Sequence, residues 1–247
     1  MIVIHGGPGA CGSMAPVARG IADLFRVLEP FQSGTSPTVA AHVADLHEVV
    51  TSYSSSTPAL VGHSWGAMLA LAYAAAHPDN AGPIVLICSG TFDLPSRERL
   101  IANLERRTDS ILRQRFKQAL TLTNPNERFH ALGKLTLEQY SYDLASTDQE
   151  IDESEPGTSS ETWDDMVRLQ NEGVYPSAFA AIKSPVLMLH GAVDPHPGEM
   201  IRASLAPYIP QLEYREWERC GHYPWLEKAT HDKFFSELRN WLAKHLS

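Results

Sequence analysis

Gly62-His63-Ser64-Trp65-Gly66 sets a serine midway between two glycines. A serine hydroxyl is a weak nucleophile until the backbone thrusts it out of a tight turn beside a helix N-terminus. Such a turn leaves no room for side chains at the flanking positions, so glycines belong there. An ordinary Gly-Ser turn would read the same in isolation. The context is more telling, because an apolar run precedes the motif and a helix-forming run follows it. A nucleophilic serine also needs a base, and the base needs an orienting acid. His190-Gly191-Ala192-Val193-Asp194 supplies an aspartate just past an apolar run, and Cys220-Gly221-His222 supplies a histidine after the last one. In this reading His222 takes the Ser64 proton through one ring nitrogen, and Asp194 holds the other ring N–H. Singly, Asp194-Pro195 is also a turn and His222 a surface histidine. Their joint order and placement carry the assignment.

Attack on an acyl carbon creates an oxyanion, which requires two backbone N–H groups aimed at one point. One would come from Trp65, the residue after the serine. The other would come from His5-Gly6-Gly7-Pro8-Gly9, with Gly7 as the expected donor. A phosphate cradle is the alternative for this loop, but it lacks both a G-K-[ST] ending and G-x-G-x-x-G spacing. The remaining histidines of these stretches, His5, His63, His190 and His196, read as local structural or pocket residues. With no H-E-x-x-H and no clustered Cys/His spacing, no metal or cofactor is expected.

Elements of two kinds must position these groups. Short apolar runs at Ile2–Ile4, Arg26–Glu29, Ala59–Gly62, Pro83–Cys88, Pro185–Leu189 and Leu212–Trp217 read as six strands. Between them lie helical patterns at Ser13–Leu24, Val39–Tyr53, Trp65–Ala76 and Gly198–Leu205, with a terminal helix over Leu226–Leu246. Strands alternating with helices predict an α/β fold, a parallel sheet covered on both faces. After Ser89-Gly90 the alternation stops for about ninety residues, where Arg97–Leu122 and Arg128–Leu144 look helical. Residues 92–180 are thus a helical insertion, and 1–91 with 181–247 form the core.

Ser64, Asp194 and His222, in that chain order, resemble the triad of the α/β-hydrolase family, and the resemblance extends over nearly the whole chain. The tail Gly221-His222-Tyr223-Pro224-Trp225-Leu226-Glu227 is similar to that family's ending. His5-Gly6-Gly7-Pro8-Gly9 together with Ser64-Trp65-Gly66 resembles the proline iminopeptidase branch. That resemblance implies removal of N-terminal residues from peptides, and a helical cap, or lid, over residues 92–180. Members usually carry an Asp-Gln-Arg-Gly-x-Gly-x-Ser-like segment. Here Glu29-Pro30-Phe31-Gln32-Ser33-Gly34-Thr35-Ser36 keeps Gln32 and Gly34 but has no arginine. Members also begin with two further strands, whereas this chain starts on a strand at Met1, so an α/β-hydrolase sheet of about six strands, lacking the usual first two, is expected. Its uncovered edge should be short, charged or shielded.

The chain has 247 residues, 43% of them hydrophobic, and a formal charge of −9 from 29 acids against 20 Lys and Arg. Ten of the acids lie between Leu135 and Val167, which contains no Lys or Arg, so the rest of the chain is near neutral. A chain without a basic stripe is a poor partner for nucleic acid or an anionic membrane. The longest apolar stretch, Ala67–Ala76, is far short of a bilayer span of about 20 residues. Cys11, Cys88 and Cys220 are odd in number and widely spaced, as in a cytoplasmic protein with reduced thiols. The expected partner is a small ester, amide or short peptide, and oligomeric state is left open. Within the acidic stretch, Glu150, Asp152, Glu153 and Glu155 are candidates to bind the ammonium group of a peptide substrate. A solvated loop, flagged by Gly157, Ser159 and Ser160, is the alternative. An aminopeptidase, a carboxylesterase or lactonase, and a non-catalytic binding protein on the same scaffold stay in view.

Overall fold

The computed structural model describes residues 1–53, 57–146 and 159–246. Five strands, β1 (Ile2–Ile4), β2 (Leu60–His63), β3 (Ile84–Ile87), β4 (Val186–Gly191) and β5 (Leu212–Trp217), form one all-parallel sheet in that spatial order. Their registers are continuous, Ile2 opposite Leu60, Leu60 opposite Ile84, Ile84 opposite Val186 and Val186 opposite Leu212. The sixth expected strand shrinks to a single bridge. Leu28 pairs with Ile2, accepting from the Val3 N–H at 2.8 Å and donating to the Met1 carbonyl. The sheet's first edge is therefore one residue long. Its other edge, β5, carries Glu213, Arg215 and Glu216, and charges deter pairing with a second chain.

Strands β1 to β4 are buried along their whole length because both faces are covered, whereas the edge strand β5 is partly exposed. Ile2, Ile4, Leu60, Ile84, Leu86, Val186 and Met188 point to one core. There they meet α2 (Val39–Tyr53), α3 (Trp65–Ala76) and α8 (Gly198–Leu205). Val3, Val61, Val85, Ile87, Leu187 and Leu189 point to the opposite core, filled by α1 (Ala15–Ile21) and α9 (His231–Leu246). Helix α3 is buried from Trp65 to Ala74. Its alanines allow the helix to lie close on the sheet, and a helix apolar on all sides must sit inside.

Between β3 and β4 the chain forms α4 (Leu94–Arg107), α5 (Ser110–Leu120), α6 (Pro125–Tyr140) and α7 (Ser159–Asn171), then a 3-10 turn at Ser177–Ala181. The single helix expected over Arg97–Leu122 is two. Asp109 accepts from the Leu112 N–H at 2.7 Å and so starts a new helix. Residues Ser159 and Ser160, expected in a loop, open α7 instead. Of the described acids in the acidic stretch, three are ion-paired. Glu138 pairs with Arg115, Asp143 with Lys228 and Asp165 with Arg168, each at 2.7 Å. No helix among the described residues is long and apolar enough to cross a membrane. Cys11, Cys88 and Cys220 are all buried, and no disulfide joins any two of them.

Candidate active site

Strand β2 ends at His63 and α3 begins at Trp65, leaving Ser64 alone to turn the chain. Its backbone has φ 54° and ψ −118°, a left-handed conformation that costs a non-glycine residue about 1–3 kcal/mol. The two flanking glycines make the turn possible. A Cβ on Gly62 would lie 2.2 Å from the Gly66 carbonyl oxygen, and one on Gly66 would lie 2.2 Å from that of Ile4. The hydroxyl of Ser64 makes no cap to its own helix. It faces a cavity of about 470 Å³ that His222 also lines.

The loops after β4 and β5 bring Asp194 and His222 together. The Nδ1–H of His222 donates to Asp194 Oδ2 at 2.6 Å, and both side chains are buried. A carboxylate accepts only, so this bond fixes the proton of His222 on Nδ1 and leaves Nε2 as the basic nitrogen. Burial lowers the His222 pKa from its ordinary value, which keeps the ring neutral near pH 7. Burial alone would raise the Asp194 pKa. Its histidine neighbours, His222 and His196, outweigh that and hold it well below the usual carboxylate range. His196 gives Asp194 two bonds, from its backbone N–H at 2.9 Å and its Nδ1 at 3.0 Å, both to Oδ1.

Three further contacts hold the histidine loop in place. His63 Nε2 donates to the His222 carbonyl at 3.0 Å, and the His222 N–H donates to the Tyr140 carbonyl at 2.9 Å. Glu227 is fully buried and accepts from the N–H groups of Gly221, Tyr142 and Asp143 at 2.6–2.9 Å. Arg107, at the end of α4, spans the acid loop and α6. It donates to the carbonyls of Val193 and Gln139. The helices between β3 and β4 therefore prop both loops.

The glycine-rich loop lies against the serine turn, where a Cβ on Gly6 would come within 3.2 Å of the Ser64 Cβ, with Gly6 and Gly7 in the cavity wall and Gly7 at φ 112°. Gln32 ties this loop to the serine turn. Its amide nitrogen donates to the His5 carbonyl at 2.8 Å, and its amide oxygen accepts from the Trp65 indole N–H at 2.8 Å. Its backbone N–H donates to His5 Nε2 at 3.1 Å, which places the His5 proton on Nδ1, within 3.0 Å of the Gly6 carbonyl. The sequence offered Gln32 as a remnant of a longer segment. Its bonds to both halves of the site depend on tertiary contacts no local pattern carries.

Ser64, His222 and Gly7 share the cavity wall, with Trp65 immediately behind the serine and Asp194 behind the histidine. The other described walls are mainly apolar or aromatic, contributed by Leu100, Phe129, Leu132, Tyr140 and Trp163, and none of the described lining residues is a carboxylate. Glu150, Asp152, Glu153 and Glu155 lie outside the described residues. Cys88, Asp194 and His222 bring metal-ligand atom types within 4.8 Å of one another. They do not suit a metal, because Asp194 is bound to His222 and burial holds the Cys88 thiol protonated, its pKa well above the ordinary value.

A parallel sheet covered on both faces, a serine at a strand–helix turn and an Asp–His pair on later strand ends define the α/β-hydrolase class of architecture. The alpha/beta hydrolase family model matches residues 1–236, and the chain belongs to that family. No curated protein matches the sequence. Among solved structures the chain is similar to VinJ, at 17% identity and TM-score 0.66, over 99% of this chain and 90% of that one. It is similar to a thermophilic esterase from Thermogutta terrifontis at 21% identity and TM-score 0.65, covering 99% and 89%. A proline iminopeptidase from Mycobacterium smegmatis gives 19% and 0.61, with the same 99% and 89% coverage. Fold likeness at these identities does not separate esterase from peptidase.

Proposed function

We propose that the protein is a serine hydrolase that cleaves esters of small apolar acids through an acyl-enzyme. The observation that carries this reading is one cavity walled by a strained Ser64 and by His222, with Asp194 at 2.6 Å behind the histidine. Ser64 Oγ bonds to the acyl carbon while its proton passes to His222 Nε2. The carbonyl oxygen becomes an oxyanion held by the backbone N–H groups of Trp65 and Gly7, the first aided by the N-terminus of α3. The intermediate collapses, the ester C–O bond breaks, and His222 returns the proton to the leaving alkoxide. Water, deprotonated by His222, then releases the acid and restores Ser64.

The apolar wall of Leu100, Phe129, Leu132 and Trp163 favours a neutral acyl group over a charged one. An aminopeptidase would need an acid for the substrate ammonium group. On this reading p-nitrophenyl butanoate is turned over and prolyl arylamides are not. Ser64→Ala should lower kcat by about 10⁴-fold or more, with Ser64 also the site of fluorophosphonate labelling. Full activity in Ser64→Ala would exclude the mechanism, and rapid prolyl arylamide cleavage would reassign the substrate.

A further inference from the structure

Asp194 holds two imidazoles, and the mechanism uses one. His222 Nδ1 binds Oδ2 at 2.6 Å and His196 Nδ1 binds Oδ1 at 3.0 Å. The rings stack with centroids 4.7 Å apart and planes 19° from parallel. Two parallel rings anchored through the same atom on one carboxylate point their opposite edges the same way. Both residues line the cavity that Ser64 also lines. Asp194 accepts only, so in the neutral His196 ring that donates to it through Nδ1, Nε2 is a hydrogen-bond acceptor. The position is built rather than incidental. The His196 side chain is almost wholly buried, and its carbonyl accepts from His190 Nε2 at 3.0 Å.

We propose that His196 is a specificity-determining residue on the leaving-group side, accepting a hydrogen bond from a hydroxyl next to the scissile ester oxygen. The inference rests on the serine hydrolase reading, because that mechanism places the leaving oxygen at His222 Nε2. The matching edge of His196 is one ring stack away. A hydroxyl on the adjacent carbon of the leaving alcohol would span that interval, whereas a simple alkyl group offers nothing to Nε2. The favoured class is esters of vicinal diols and polyols. In acylation the Ser64 Oγ–acyl bond forms, the alkoxy C–O bond breaks and the proton moves from Ser64 through His222 to the departing oxygen. His196 binds throughout and gains or loses no proton.

The test compares 2-hydroxyethyl butanoate with 2-methoxyethyl butanoate, which share an acyl-enzyme and differ in one donor. The native protein should favour the hydroxyl ester in kcat/KM by about three- to tenfold, the worth of one neutral hydrogen bond. His196→Asn can place an amide nitrogen where Nδ1 was, keeping the donor to Asp194 and removing the acceptor. Its ratio should fall to near one whatever its absolute rate, and its thermal unfolding reports whether it folds. A ratio near one in the native protein, or a preference that survives in folded His196→Asn, overturns the proposal. Fluorophosphonate labelling separates this from failure of the hydrolase reading. A labelled Ser64 without ester discrimination sinks only the His196 assignment, and an unlabelled Ser64 with hydrolysis intact in Ser64→Ala sinks both.

Discussion

Gln32 spans the glycine-rich loop and the serine turn through one amide group, donating to the His5 carbonyl and accepting from the Trp65 indole. Gln32→Ala should lower kcat on p-nitrophenyl butanoate by about 10–100-fold with little change in KM, since a loosened donor is felt most in the transition state. Gln32→Glu should recover little, because a carboxylate cannot donate to the His5 carbonyl. At His222, burial lowers the pKa from 6.5. In the proposed mechanism the neutral ring is the base, so protonation on acidification should remove activity. The kcat/KM profile should rise with pH through a midpoint below 6.5 and be flat above neutrality. A midpoint at 7 or higher would contradict that direction. Ser64, Asp194 and His222 could be picked out as candidates because each follows a strand end, a local feature that chain order exposes. The second imidazole on Asp194 and the Gln32 bridge are contacts between distant segments, and spacing does not encode them.

Helices α2 and α3 were readable residue for residue, because apolar spacing and the His77-Pro78 stop are local signals. The break between α4 and α5 was less visible, since Thr108-Asp109 interrupts an otherwise continuous amphipathic pattern. Helix α7 was hidden by its polarity. It is held by tertiary contacts, such as Asp165 accepting from the Val39 N–H at 2.9 Å. The strand expected at Arg26–Glu29 survives only as the Leu28 bridge. The turn after β5 depends on Glu227, whose two oxygens satisfy three backbone N–H groups in a site without solvent. Glu227→Gln replaces one acceptor with a donor facing those N–H groups. It should cost about 1–3 kcal/mol in urea unfolding and reduce activity through the displaced His222 loop. Unchanged stability would show that the clamp is dispensable.

Over the whole molecule, the histidines make stability depend on pH. His5, His63, His190 and His222 are buried, and desolvation lowers the pKa of each. Their folded forms stay neutral where the unfolded chain, with pKa near 6.5, takes up protons. The unfolded state therefore binds more protons below pH 6.5, and stability falls as pH drops through that window. Each such histidine adds at most about 1.4 kcal/mol per pH unit until its folded pKa is reached. Thermal unfolding midpoints should decline markedly from pH 7.5 to 5.5, and a flat profile would contradict the burial of these rings as neutral groups. The helices between β3 and β4 bear on durability in a different way. Because Arg107 and Tyr140 hold the loops of Asp194 and His222, local unfolding of α4 and α6 would dismantle the site while the sheet and its two cores persisted. If these helices open before the sheet does, activity should be lost on heating ahead of the global unfolding transition.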